Sequence, residues 1–158
     1  MNRQHEWQQE AVPVAVNIQN SEDVIELRRS VRSLANSISM GLADQARVVM
    51  CATELAENII KHSESGCCSL AIIKDDHDHS ALCIECRDRG AGIADVDAIL
   101  REQQDEKPSL LGAGLVGVKR VADQFSLQSG AEGTVVRVVC VPSTSLGFGY
   151  ASSTGAIH

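Results

Sequence analysis

Hydrophobic and polar positions repeat along this chain with two different periods, and the changes of period mark its elements. Residues 11–18 alternate well enough for a strand after a frayed polar start. Val24, Leu27, Val31, Leu34 and Ile38 then recur every three or four residues, which is one face of a helix. Asn20 and Ser21 are good N-cap types, Glu22 and Asp23 suit a first turn, and Gly41 is the expected stop. A second helix is expected over 43–62, ending at Ser63-Glu64-Ser65-Gly66. It is apolar on most sides: Val48, Ala52, Leu55 and Ile59 form one face, with Val49, Ala56 and Ile60 beside it. At 100° per residue Glu54, Asn58 and Lys61 fall on a single narrow stripe. A helix of this kind is buried on most sides, so the stripe should line a cavity rather than face open water.

Two strand-like runs follow, 68–74 and 81–87, joined by Asp75-Asp76-His77-Asp78-His79. Those five residues are consecutive and nothing converges them, so they read as a solvated loop rather than a metal site. A short helix is expected over 94–103, then a polar segment over 104–109. A helix bearing Leu115, Val118, Val121, Ala122 and Phe125 starts inside a glycine run. Two strands, 125–129 and 134–141, close a single domain spanning 11–142. Residues 1–10 and the Ser/Gly/Thr-rich 143–158 are expected to be flexible ends.

The 158 residues suit one domain with a real core. Hydrophobic content of 44% beside 22% charged residues is that of a soluble globular protein, and aromatics at 3% leave the core to Val, Ile, Leu and Ala. A net charge of −7 argues against a nucleic-acid partner. No apolar run approaches the roughly 20 residues that span a bilayer, and the first ten residues lack a signal-peptide core, so no membrane and a cytoplasmic location are expected. Cys83 and Cys86 form a C-x-x-C, but inside an alternating strand and with no second pair. The six cysteines therefore read as reduced structural thiols.

Two glycine motifs change the picture. Gly112-x-Gly114-x-x-Gly117 matches a dinucleotide fingerprint on paper, yet it follows a long polar segment late in the chain, so a Rossmann reading fails. A glycine turn entering a helix still presents backbone N–H groups that cradle phosphate. Asp88 ends a strand, and Gly90 and Gly92 permit a tight turn after it. Its carboxylate can accept from the exocyclic amine of adenine, where guanine offers a repelling carbonyl. Asn58 can supply one oxygen to Mg²⁺, which takes few protein ligands. Glu54, one turn away, can act as general base or orient a nucleophile.

Glu-x-x-x-Asn on a helix, Asp-x-Gly-x-Gly, Gly-x-Gly-x-x-Gly and Gly133-Thr134, in this order, resemble the GHKL ATPase superfamily and its Bergerat fold. The short chain resembles the anti-sigma-factor serine kinases. Gly112 to Arg120 and Asp123-Gln124-Phe125-Ser126 bring it nearest to the RsbT-type switch kinases of bacterial stressosomes. The resemblance implies an α/β two-layer sandwich with a mixed sheet and helices on one face. It implies an ATP- and Mg²⁺-dependent serine/threonine kinase that switches between partners. Glu54 matches the catalytic acid, Asn58 the Mg²⁺ ligand and Asp88 the adenine-binding acid. Gly90 and Gly92 match its turn, Gly112, Gly114 and Gly117 the phosphate loop, and Thr134 the threonine at the adenine end. Lys61 has the stripe position of a phosphate contact, and equally that of a solvated helix-end lysine. The implied substrate is a STAS-domain antagonist, with a phosphatase or sigma-type regulator as alternative partner. A departure lies before the second glycine box: Arg101 to Ser109 is charged and contains Pro108, where RsbT-like chains carry small hydroxylated residues and glycine. Two other readings stay open: a sequestering switch with weak catalysis, and a detached histidine-kinase ATPase domain.

Overall fold

A computed structural model describes residues 6–93, 96 and 114–143. In it six strands form one sheet, with three helices of eight residues or more, α1 (Ser21–Ser37), α2 (Leu42–His62) and α3 (Gly114–Val121). The strands are β1 (Gln8–Gln9), β2 (Val14–Ile18), β3 (Gly66–Lys74), β4 (Ser80–Asp88), β5 (Gln124–Gly130) and β6 (Gly133–Cys140). β1 and β2 lie along the same edge of β3, and the sheet continues through β4 and β6 to β5. The α/β sandwich with helices on one face is as expected. Every pairing between described strands is antiparallel, however, where a mixed sheet was expected. The connections explain it. β3–β4 and β5–β6 are hairpins, and β2 reaches β3 through two helices, an even number, which returns the chain antiparallel.

The period-two pattern sorts the strands' two faces. Val16, Ile18, Cys68, Leu70, Leu82, Ile84, Leu127, Val136 and Val138 pack with Leu27, Val31, Val48, Leu55 and Ile59 into the main core. The other face carries a smaller cluster of Ile73, Ala81, Cys83, Val139 and Val141, with Trp7 and Ala71 against it. Fully burying each such aliphatic side chain is worth about 1.5–3 kcal/mol. α1 starts as its sequence indicates: the Asn20 side chain accepts from the Glu22 and Asp23 amides, and Asp23 reaches back to the Asn20 amide, a capping box. Its end differs. Ser39, at φ 60°, makes the left-handed turn, and the Met40 and Ser39 amides bond the Ala35 and Asn36 carbonyls. Gly41, the expected stop, is instead the N-cap of α2.

Two further expectations are corrected. Cys68 and Cys86 are joined as a disulfide between β3 and β4, so not all six cysteines are reduced thiols. They oppose each other in register, a pairing no short spacing announces. Cys83 and Cys86 do not pair, because three residues along a strand separate opposite faces. Cys51, Cys67, Cys83 and Cys140 are free; the Cys51 contact and burial push the Cys140 thiol up, and burial raises Cys83. The loop after β3 is a loop, but its Asp75 is buried rather than solvated. One Asp75 oxygen accepts from the His77 and His79 amides, and the other faces His79 Nδ1 at 3.0 Å. Residues 94–95, 97–113 and 144–158, where a short helix, a polar segment and a flexible tail were expected, lie outside the described residues.

Candidate nucleotide site

The site grows from the end of β4. Asp88 and Thr134 are register partners across β4 and β6, and both lie on the helix-facing side of the sheet. One Asp88 oxygen accepts from the Gly90 amide at 2.8 Å, closing a tight turn. Among the described residues its second oxygen accepts no hydrogen bond, so it is available to a donor from a ligand.

The turn is wedged between two elements. Gly90 lies against the last turn of α2, where an added Cβ would sit 2.7 Å from the His62 carbonyl. Gly92 has φ +87° and packs on the Gly130 carbonyl at the end of β5, with no room for a side chain. Gly133 has φ +127° and its hydrogen-only α-carbon lies against the Asp88 carbonyl. Ser129 ties these pieces together: its hydroxyl accepts from the Ile93 amide at 2.7 Å and meets the Thr134 hydroxyl at 2.7 Å. Sequence reasoning missed Ser129. The available signal was a hydroxyl on each side of the Gly130–Gly133 hairpin turn, which antiparallel register places opposite each other.

Glu54 and Asn58 sit one turn apart on α2, both half-buried, among the fully buried Leu55, Ala56 and Ile59. Lys61 is exposed at the helix end and lines a shallow cavity of about 630 Å³ shared with Arg89 and Gly90. So Lys61 reaches the Asp88 turn, while Glu54 and Asn58 lie deeper along the helix. Gly114 opens α3 and Gly117 is half-buried within it; α3 packs on α2. Gly112 lies outside the described residues, as does the charged segment before it. A cavity of about 850 Å³ touches Asp88 and Thr134, but Asn17, Cys67, Arg87, Gln128 and Val135 open it toward the sheet's other face. Its size does not make it the candidate site, because Asp88 and Thr134 belong to the helix-facing side of the sheet.

A metal fits this donor set in one way. Among the described residues no three His, Cys, Asp or Glu side chains converge. A half-buried amide beside one carboxylate suits an ion that takes few protein ligands and fills the rest with phosphate and water, as Mg²⁺ does.

The family model described as "Histidine kinase-like ATPase domain" matches residues 19–140. This chain belongs to that family. The serine/threonine-protein kinase RsbT of Bacillus subtilis is 34% identical over 125 residues, covering 78% of this chain and 92% of RsbT. Within the family, the chain falls in the serine/threonine-protein-kinase group, and as a domain of this kind it binds ATP. The fold is shared with a crystal structure of RsbU and RsbW domains from Mycobacterium tuberculosis. That match has a TM-score of 0.58 and 16% identity, and covers 84% of this chain but only 33% of the longer one. Among the described residues no helix is long and apolar enough to cross a membrane.

Proposed function

We propose that this chain is a cytoplasmic partner-switching kinase that transfers the γ-phosphoryl group of ATP to a serine or threonine of a STAS-domain antagonist. A phosphatase or sigma-type regulator is its alternative partner. One observation carries the reading: the turn at Asp88, Gly90 and Gly92 is packed against the last turn of α2, the helix that holds Glu54 and Asn58. Base recognition and phosphate chemistry thereby share one rigid element.

Asp88 accepts the adenine amine with its free oxygen, and Thr134, fixed by Ser129, supports the same end of the base. Gly90 and Gly92 shape the turn that admits it. Gly114 and Gly117 lie where α3 begins and would offer backbone N–H groups to the phosphates, the role that Gly112 shares in the phosphate loop of the kinases this chain resembles. Lys61 adds a cation at the edge, and Asn58 offers its amide oxygen to Mg²⁺, which neutralises phosphate charge when bound. Glu54 accepts the proton as the substrate hydroxyl attacks the γ-phosphorus. The new O–P bond forms as the bond to ADP breaks, and ADP leaves with the electron pair.

Glu54 acts in the transition state, so Glu54→Gln should leave ATP affinity within a few-fold of wild type. Phosphotransfer in a single-turnover assay with labelled ATP and a purified STAS-domain protein in excess should fall roughly 10²–10⁴-fold. Equal rates from the two proteins would remove Glu54 from the chemistry, and absent transfer from both would favour a switch that acts by sequestration.

A further inference from the structure

A groove of about 820 Å³ runs between the first turns of α1 and the C-terminal half of α2. Val24, Ile25 and Ile60 give it an apolar floor, Arg28 and Lys61 stand over it as cations, and Glu57 is its one carboxylate. Ile25 is 59% exposed, one of four large apolar side chains exposed among the described residues, and it lines this groove beside Val24 and Ile60. At 100° per residue Ser21, Ile25, Arg28 and Arg32 share a stripe of α1, with Arg29 on its border. Glu22 and Glu26 lie further round the helix. Among the described residues none of the three arginines forms an ion pair, although acidic side chains outnumber basic ones in the chain. In a protein of net charge −7, α1 thus carries a basic stripe without ion pairs among the described residues, set beside the exposed Ile25.

We propose that this groove docks an acidic amphipathic segment of the protein that the kinase modifies. Apolar residues of that segment would cover Ile25 and Ile60, and its carboxylates would meet Arg28 and Arg32. The proposal rests on the kinase reading and deepens it. α2 forms one wall of the groove through Thr53, Glu57 and Lys61, and carries Glu54 and Asn58 on the adjoining strip of its surface. A segment held there lies alongside the reacting end. The concave apolar floor with a cationic rim matches a helix-in-groove mode of peptide recognition. A broad anionic surface such as lipid or duplex DNA would bring its charge against Glu22, Glu26 and Glu57 as well.

The test uses the full chain and a fluorescently labelled helical peptide with leucines on one face and glutamates on the other. A peptide with lysines in place of the glutamates is the control. Wild type should bind the acidic peptide more tightly than the basic one, and the preference should shrink as salt rises. Arg28→Glu combined with Arg32→Glu should weaken the acidic peptide by about tenfold or more. Ile25→Ser should weaken it severalfold while keeping the salt dependence. Fluorescent-ATP affinity and the melting temperature of both variants should match wild type, because neither site lies in the nucleotide machinery. Failure of wild type to bind ATP would sink the kinase reading. ATP binding without preference for the acidic peptide would overturn the docking proposal, as would preferential capture of anionic vesicles or duplex DNA through the same arginines.

Discussion

The two ends of α2 are built on opposite plans. At its start, Arg47 Nη1 donates to the Val121 carbonyl and to Asp123, both at 3.0 Å, and Nη2 donates to the Val141 carbonyl at 2.7 Å and to Asp44 at 3.3 Å. Asp123 also accepts from the Val141 amide, and Asp44 accepts from the amide and hydroxyl of Ser143. One guanidinium thus joins α2, the last residue of α3 and the chain beyond β6. Burial alone would raise the Asp44 carboxyl, but Ser143 and Arg47 outweigh it and hold it below the usual carboxylate range. Burial likewise opposes the Arg47 charge, and Asp123 above all restores it. At the other end the contacts are glycine against backbone, and Asp88 keeps an oxygen free. Polar groups at the first end are satisfied by the protein itself. At the second, Asp88 keeps an oxygen to which no described residue donates, while the clasp at the first end ties α2 to α3.

The comparison breaks most visibly at Arg47. Arg47→Ala removes the cation from two carboxylates and the donor from two carbonyls, and should cost about 2–3 kcal/mol, less than a fully buried pair would, because the Arg47 side chain keeps 21% of its exposure. That corresponds to a fall in melting temperature of about 5–10 °C by scanning calorimetry, with ATP affinity of the folded protein within a few-fold. Weak ATP binding at an unchanged melting temperature would place Arg47 in the site and erase the contrast. Thr134→Val sharpens the other side. It removes the Ser129 partner and should cost about 1 kcal/mol, with a comparable loss in ATP affinity by titration calorimetry. A stability loss alone would make the threonine purely structural.

The smallest effect is on acid unfolding. Asp44 is depressed in the folded state, so its contribution is complete above the ordinary carboxylate value of about 4 and is lost as pH falls through its lower folded value. Asp44→Asn should therefore be less stable than wild type at neutral pH, and the gap should close in melts below about pH 4. A gap that held constant down to pH 2 would show that the carboxylate's charge is not what the clasp uses.

The open end was far more legible in the sequence than the closed one. Asp88, Gly90 and Gly92 are neighbours in the chain, Glu54 and Asn58 are one helical turn apart, and short spacings of that kind encode geometry directly. Arg47, Asp123 and Ser143 are scattered along the chain, and only the sheet and helix packing bring them together. The Cys68–Cys86 link and the Ser129–Thr134 contact depend on strand register in the same way. Ser39 escaped notice because the left-handed turn ending α1 is normally a glycine's, and Gly41 stood two residues on. The buried faces of α1 and α2 were read correctly since periodicity reports burial, but Phe125, assigned to the third helix as well as to a strand, lies in β5 beyond the end of α3, and strand direction is set by connections that periodicity does not see.

We propose that the unfinished end of α2 and β4 reads adenine through Asp88. Titration calorimetry of the wild type with Mg·ATP and Mg·GTP, and of Asp88→Asn with Mg·ATP, tests it most directly. ATP should bind tighter than GTP by about ten- to a hundredfold, with a similar loss of ATP affinity in a variant that melts like wild type, since one charge-assisted hydrogen bond is worth roughly 1.5–3 kcal/mol. Equal affinity for the two nucleotides, or full ATP affinity in Asp88→Asn, would contradict it.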